Sequence, residues 1–234
     1  MPVSDSTLHQ KKQIEVINEI ERQINNSSLN FSTVDPIGDF DNDPRICLTG
    51  VHFPKQELID KIYKLLINPL RQISPNHYFY SRESIHISVK SVRIINDPPH
   101  FSEFDVEKAK KIFSNVIPRH HSYKTYFYRL LLFPSNLALI GTTEPELDEI
   151  VLDLDQELEN AGIPDDKQYT NSQYFFCNIT LARFDSLVIK EFKEKVEELS
   201  QHISIPPYVV NSVSLVTGNA AMKNKQIVGE WNLI

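Results

Sequence analysis

Two short segments constrain this chain more than anything else in it. His86-Ile87-Ser88 and Asn178-Ile179-Thr180 each set a nitrogen-bearing polar side chain two residues before a hydroxyl. A strand sends alternate side chains to opposite faces. In each triplet the polar pair therefore shares one face, and the isoleucine between them points into a core. Both triplets follow aromatic-rich stretches, and they lie 92 residues apart in the chain. That spacing is too long for a solenoid repeat. It suits two related lobes that face each other.

The order of elements around the triplets repeats. Residues 8–24 read as an amphipathic helix, with Ile14, Ile17, Ile20 and Ile24 near helical spacing. A stretch rich in Asn, Ser, Asp, Gly and Pro then reads as a linker up to residue 45. Asp39, Asp41 and Asp43 alternate within it, but the glycine and distal glutamate of a calcium loop are missing, so a solvated turn is expected. From residue 46 the pattern runs strand 46–53, helix 56–70, strands 78–80 and 85–95, helix 106–116, and a hairpin of strands 125–133 and 137–142. It resumes as helix 145–160, strand 174–184, helix 191–200, and closing strands 209–216 and 226–233. The expected fold is α+β: an N-terminal helix and linker over 1–45, then two pseudo-symmetric lobes over 46–234. Their antiparallel sheets face a central cleft, with helices packed outside.

Composition narrows the partners. Apolar residues make up 41% and charged residues 24%, ordinary globular values. No apolar run approaches the roughly 20 residues that a membrane helix needs, and residues 1–13 carry no signal-peptide core, so a cytoplasmic setting without membrane contact is expected. Cys47 and Cys177 read as buried free thiols. The net charge of −7 argues against a long duplex-DNA footprint, yet a small pocket gripping one or two phosphates is compatible with it. Zinc-type spacing, nucleotide-cradling glycine loops and a G-x-S-x-G elbow are all missing, so neither a metal nor a cofactor is expected. His120 and His121 are adjacent, point apart in extended chain, and read as loop residues.

The segments SIHISVKSV and NITLARF resemble the two motifs of the 2H phosphoesterase superfamily, which includes 2′-5′ RNA ligase-like proteins and RNA 2′,3′-cyclic phosphodiesterases. The resemblance covers about residues 46–234. Its hallmark is one H-x-[ST] motif per lobe, and this chain departs from it at Asn178. The resemblance implies that His86 transfers a proton, that Ser88 and Thr180 hold phosphate oxygens, and that the ligand is a small nucleotide or an RNA terminus. Asn178 can donate a hydrogen bond but cannot shuttle a proton. Three outcomes follow: a slowed enzyme using His86 alone, recruitment of another acid such as Tyr174, His121 or His52, or a binding module without turnover. Lys90 stands two residues beyond Ser88 and is expected on the same face. Arg183, three beyond Thr180, would face away in a regular strand, although the resemblance favours an arginine there; an ion pair and a phosphate contact are both open. Tyr174 completes the set of candidate substrate contacts.

Overall fold

A computed structural model describes residues 6–234. Helix α1 (Leu8–Asn25) opens with a capping box: Thr7 Oγ1 accepts from the Gln10 amide, and the Gln10 side chain accepts from the Thr7 amide. Nine strands follow: β1 (Ile46–His52), β2 (Tyr78–Phe79), β3 (Ile87–Asn96), β4 (Tyr123–Leu132), β5 (Asn136–Thr143), β6 (Cys177–Arg183), β7 (Tyr208–Val210), β8 (Ser212–Gly218) and β9 (Gln226–Asn232). Five more helices lie between them: α2 (Gln56–Ile62) and α3 (Asn68–Ile73), joined by a π turn over Tyr63–Ile67, then α4 (Glu103–Val116), α5 (Glu146–Asn160) and α6 (Lys190–Gln201). Gly162, at φ +77°, lets the chain turn off α5 while the Ile163 amide donates back to Leu158.

The strands form two antiparallel sheets, as expected. The first has the order β3-β1-β8-β9 and the second β2-β6-β5-β4-β7. The two sheets do not correspond to the two halves of the chain. The hairpin β4–β5, from the first half, pairs with β6 of the second half; the closing pair β8–β9 pairs back onto β1. Each sheet is therefore built from both repeats. The stretch expected as one strand over 209–216 breaks at Asn211, because β7 ends the second sheet and β8 joins the first.

Leu48, Ile87 and Leu215 of the first sheet and Leu137, Leu139 and Ile179 of the second join one core with the helices. Gly50 marks a close approach there: a Cβ would lie 2.6 Å from the Phe113 ring of α4. Both triplet isoleucines are buried, Ile87 at 1% and Ile179 at 0% exposure, as the period-two reading requires.

Helix α1, which the sequence leaves without an assigned position, docks on the second sheet. Its Ile17 and Ile20 join a second, smaller core with Ala138 and Ile140, the β5 residues that pair with Thr180 and Asn178. Burial of two isoleucines stabilises this docking by roughly 1.5–3 kcal/mol each. The fully buried Gln13 fixes its position: Nε2 donates to Thr143 Oγ1 (2.7 Å) and to the Phe175 carbonyl (2.5 Å), while Oε1 accepts from the Thr143 amide (2.8 Å). The linker is less solvated than its composition predicts. Asp43 is 2% exposed because Arg45 pairs with it at 2.8 Å, whereas Asp39 does make the expected turn, accepting from the Asp41 and Asn42 amides.

Candidate functional site

The sheets present their triplets to one pocket of about 340 Å³. His86, Ser88, Lys90, Tyr174, Asn178, Thr180 and Arg183 all line it. Of the two other histidines considered as proton donors, His52 is held elsewhere, Nδ1 donating to the Ser212 carbonyl and Nε2 meeting the Tyr208 hydroxyl, and His121 is not in the wall.

His86 ends the short turn Arg82–Ser84 and sits one residue before β3. Its Nδ1–H donates to the Ser84 carbonyl at 2.7 Å, which leaves Nε2 as the nitrogen with the free lone pair. Phe53 and Tyr80 flank the ring. Burial first, and then the nearby charges of Arg183 and Lys225, push its pKa down to about 4, against the opposing Ser84 bond. At neutral pH the ring is uncharged and able to accept a proton.

The two residues whose facing the alternation rule misjudges are explained by one kind of irregularity. In β6, Thr180 pairs with Ala138 but Ala182 pairs with Leu137, so Leu181 is an extra residue. This β-bulge resets the alternation. Arg183, opposite Asn136, consequently returns to the face of Thr180 and enters the pocket. In β3, Ser88 pairs with Val51 and Lys90 with Gly50, so Val89 is the extra residue. Here the bulge turns Lys90 off the face of Ser88, contrary to expectation, and brings Ser91 onto it opposite Thr49. The Lys90 side chain is fully buried, and its ammonium is held by Asp155 (2.5 Å) and Asp165. It reaches the pocket wall with its charge already matched.

Arg183 is in the opposite condition. Its Nε donates to the Tyr80 hydroxyl at 2.9 Å, and that hydroxyl in turn donates to the Ala220 carbonyl. The rest of the guanidinium is left for the pocket. Among the described residues, no carboxylate lies within 4 Å of Arg183 or of Lys167, which also lines the wall. Burial lowers the Lys167 pKa, and the neighbouring Lys90 charge adds to that, against the pull of Asp165. In a chain of net charge −7, two cations outside any salt bridge and facing a pocket make a local positive field. Cys47 lies in the same wall as a thiol, its pKa pushed up to about 11 by burial.

Sequence reasoning missed Ser91, Lys167, Tyr80 and Cys47 as wall residues. Ser91 was findable from the repeat, because it stands to Ser88 as Arg183 stands to Thr180. Lys167 belongs to a loop with no local signal.

Two antiparallel sheets thus each deliver one polar–apolar–polar triplet to a shared cleft. No protein-family model and no curated protein matches the sequence, but solved structures share its fold. E. coli LigT, in a crystal structure complexed with ATP, is 14% identical with a TM-score of 0.50, over 81% of this chain and 98% of LigT. The protein TT0787 of Thermus thermophilus matches at 14% identity and a TM-score of 0.50, over 81% of this chain and 97% of its own. A conserved protein of unknown function, ATU0111 from Agrobacterium tumefaciens, matches at 13% identity and a TM-score of 0.57, over 89% and 97%. The chain thus has the LigT-like fold that the sequence resemblance implied. Among the described residues no helix is long and apolar enough to cross a membrane.

Proposed function

We propose that this protein acts on a cyclic or 2′-5′ phosphodiester of a nucleotide or RNA end, with His86 as its proton acceptor. The observation that carries the reading is the pairing, in one pocket, of an uncharged His86 with the uncompensated guanidinium of Arg183. A phosphodiester needs both: charge to hold its anionic oxygens, and a base to activate the attacking group. The ATP complex of LigT supports a nucleotide as the ligand class.

In hydrolysis of a 2′,3′-cyclic nucleotide, His86 Nε2 takes a proton from water as the water oxygen bonds to phosphorus. Arg183, Ser88 and Thr180 donate to the non-bridging oxygens. The P–O bond to one ribose oxygen breaks, and that oxygen needs a proton. Asn178 donates a hydrogen bond to it but has no proton to give up. Lys167, whose ammonium is destabilised by burial, is the group in the wall suited to supply one.

The test is hydrolysis of 2′,3′-cyclic AMP by the full chain. Turnover that His86→Ala removes is the expected result. If no cyclic or 2′-5′ substrate turns over, the enzymatic reading fails. Asn178 favours a second reading, a nucleotide-binding module of the same fold, which predicts ligand-induced stabilisation without turnover. Absence of binding to any phosphorylated ligand would overturn both.

A further inference from the structure

The pocket is partly covered. After α1 docks on the second sheet, the linker crosses to the first, and it is pinned on both sides. Phe31 stands edge-on to Phe133, at the end of the β4–β5 hairpin, with ring centroids 6.2 Å apart. At the far side, the Phe40 carbonyl accepts from Asn219 Nδ2 at 3.1 Å, in the loop after β8. Between these anchors the Ser32 amide donates to the Gln168 carbonyl (3.0 Å), and the Gln168 amide donates to Ser32 Oγ (2.9 Å). Gln168 belongs to the loop between α5 and β6, which is itself tied to the first sheet: Asp166 Oδ1 accepts from the Ile94 amide at 2.8 Å. Residues 31–34 of the linker and 167–171 of the loop both line the pocket. Together they roof it.

We propose, on the reading of the site given above, that the roof restricts the ligand to a free small nucleotide and excludes an RNA chain. The pocket volume of about 340 Å³ is at the low end of the ~300–1,000 Å³ of small-molecule pockets. It has room for one nucleotide and none for a second one attached through its 5′ oxygen. The pocket lining is also of two kinds. His86, Asn178, Thr180 and Arg183 supply polar wall; Ile20, Phe31, Val34, Phe133 and Phe176 supply apolar wall. Three of these five come from the N-terminal helix and linker. The polar wall takes the phosphate, and the apolar wall takes the flat face of the base.

The experiment compares two ligands on the full chain by calorimetry: 2′,3′-cyclic AMP, and a pentanucleotide ending in the same cyclic phosphate. The mononucleotide is expected to bind at least tenfold more tightly. In the double variant Phe31→Ala, Ser32→Ala, which removes one anchor and one roof bond, the ratio is expected to fall toward one, through weaker mononucleotide binding and stronger oligonucleotide binding. Equal binding by the unaltered chain overturns the roof proposal and leaves the phosphodiester reading standing. So does an unchanged ratio in a folded double variant. If neither ligand binds, the reading of the site itself fails. The ratio in the unaltered chain decides the matter even if the variant does not fold.

Discussion

The strands β3 and β6 carry equivalent triplets, equivalent bulges and opposite electrostatics. On the β3 side the pocket receives a titratable ring, and the nearby lysine is neutralised by two aspartates. On the β6 side it receives an amide that cannot titrate and an arginine whose charge is left open. The same backbone device therefore serves two tasks. One half handles the proton, and the other holds the charge. The asymmetry arises at two positions: residue 178, where the amide stands, and the second residue after the bulge, which is Ser91 in one half and Arg183 in the other.

Removing the proton acceptor is expected to have the largest effect. His86→Ala should cut the turnover of 2′,3′-cyclic AMP by about 10²–10⁴-fold, the range typical of general base catalysis, with circular dichroism unchanged. Restoring symmetry is the complementary experiment. Asn178→His should raise turnover by a similar factor if the missing acid limits the rate; no gain would mean that Lys167 or another group already fills the role. Next comes the charge-holding half. Arg183→Met should weaken nucleotide binding by roughly 10–100-fold, the equivalent of the ~1.5–3 kcal/mol of hydrogen bonds to a charged group. Lys90→Met should leave binding within about twofold and instead lower stability by about 2 kcal/mol, below the ~3–5 kcal/mol of a fully buried broken pair because Asp155 is partly exposed. Denaturant titration distinguishes the two variants. If Lys90→Met weakened binding as much as Arg183→Met, the contrast between the strands would be lost.

The last effect is on acid stability. The folded pKa of His86 is lowered to about 4 from 6.5. Above 6.5 neither state is protonated at this ring, and its stabilising contribution is fully present. As pH falls from 6.5 toward 4, the unfolded chain binds the proton that the folded chain refuses, and stability is lost by up to about 1.4 kcal/mol per pH unit. Burial shifts His52 and His77 in the same direction. The His86 share is therefore read as the difference in slope between the unaltered chain and His86→Gln.

Most of the fold and part of the site were legible in the sequence. Alternation placed His86 with Ser88 and Asn178 with Thr180, because those residues precede the irregularity in each strand. It failed at Lys90 and Arg183 for a shared reason: a bulge adds a residue without changing composition, and the period-two rule inverts beyond it. The exchange of strand pairs between the sheets was also hidden. Hydrophobic pattern gives each strand a face but does not name its neighbour, and the β4–β5 hairpin could satisfy its own edge with either motif strand. The docking of α1 inside the cleft was out of reach too, since an apolar stripe shows that a helix is covered and not by what.

The exchange of strands has a temporal consequence. In the first sheet, β1 has β3 on one side and β8 on the other, so a strand made early is flanked by one made almost last. As the chain emerges from the ribosome, His86 and Ser88 are present long before the sheet that supports them can close. The pairing of residues near 50 with residues near 215 is among the longest closures the chain makes, and such non-local contacts slow folding. The pocket is therefore a late event in the life of the molecule, and a truncation that removes only the last two strands would erase a site whose named residues all lie upstream of it.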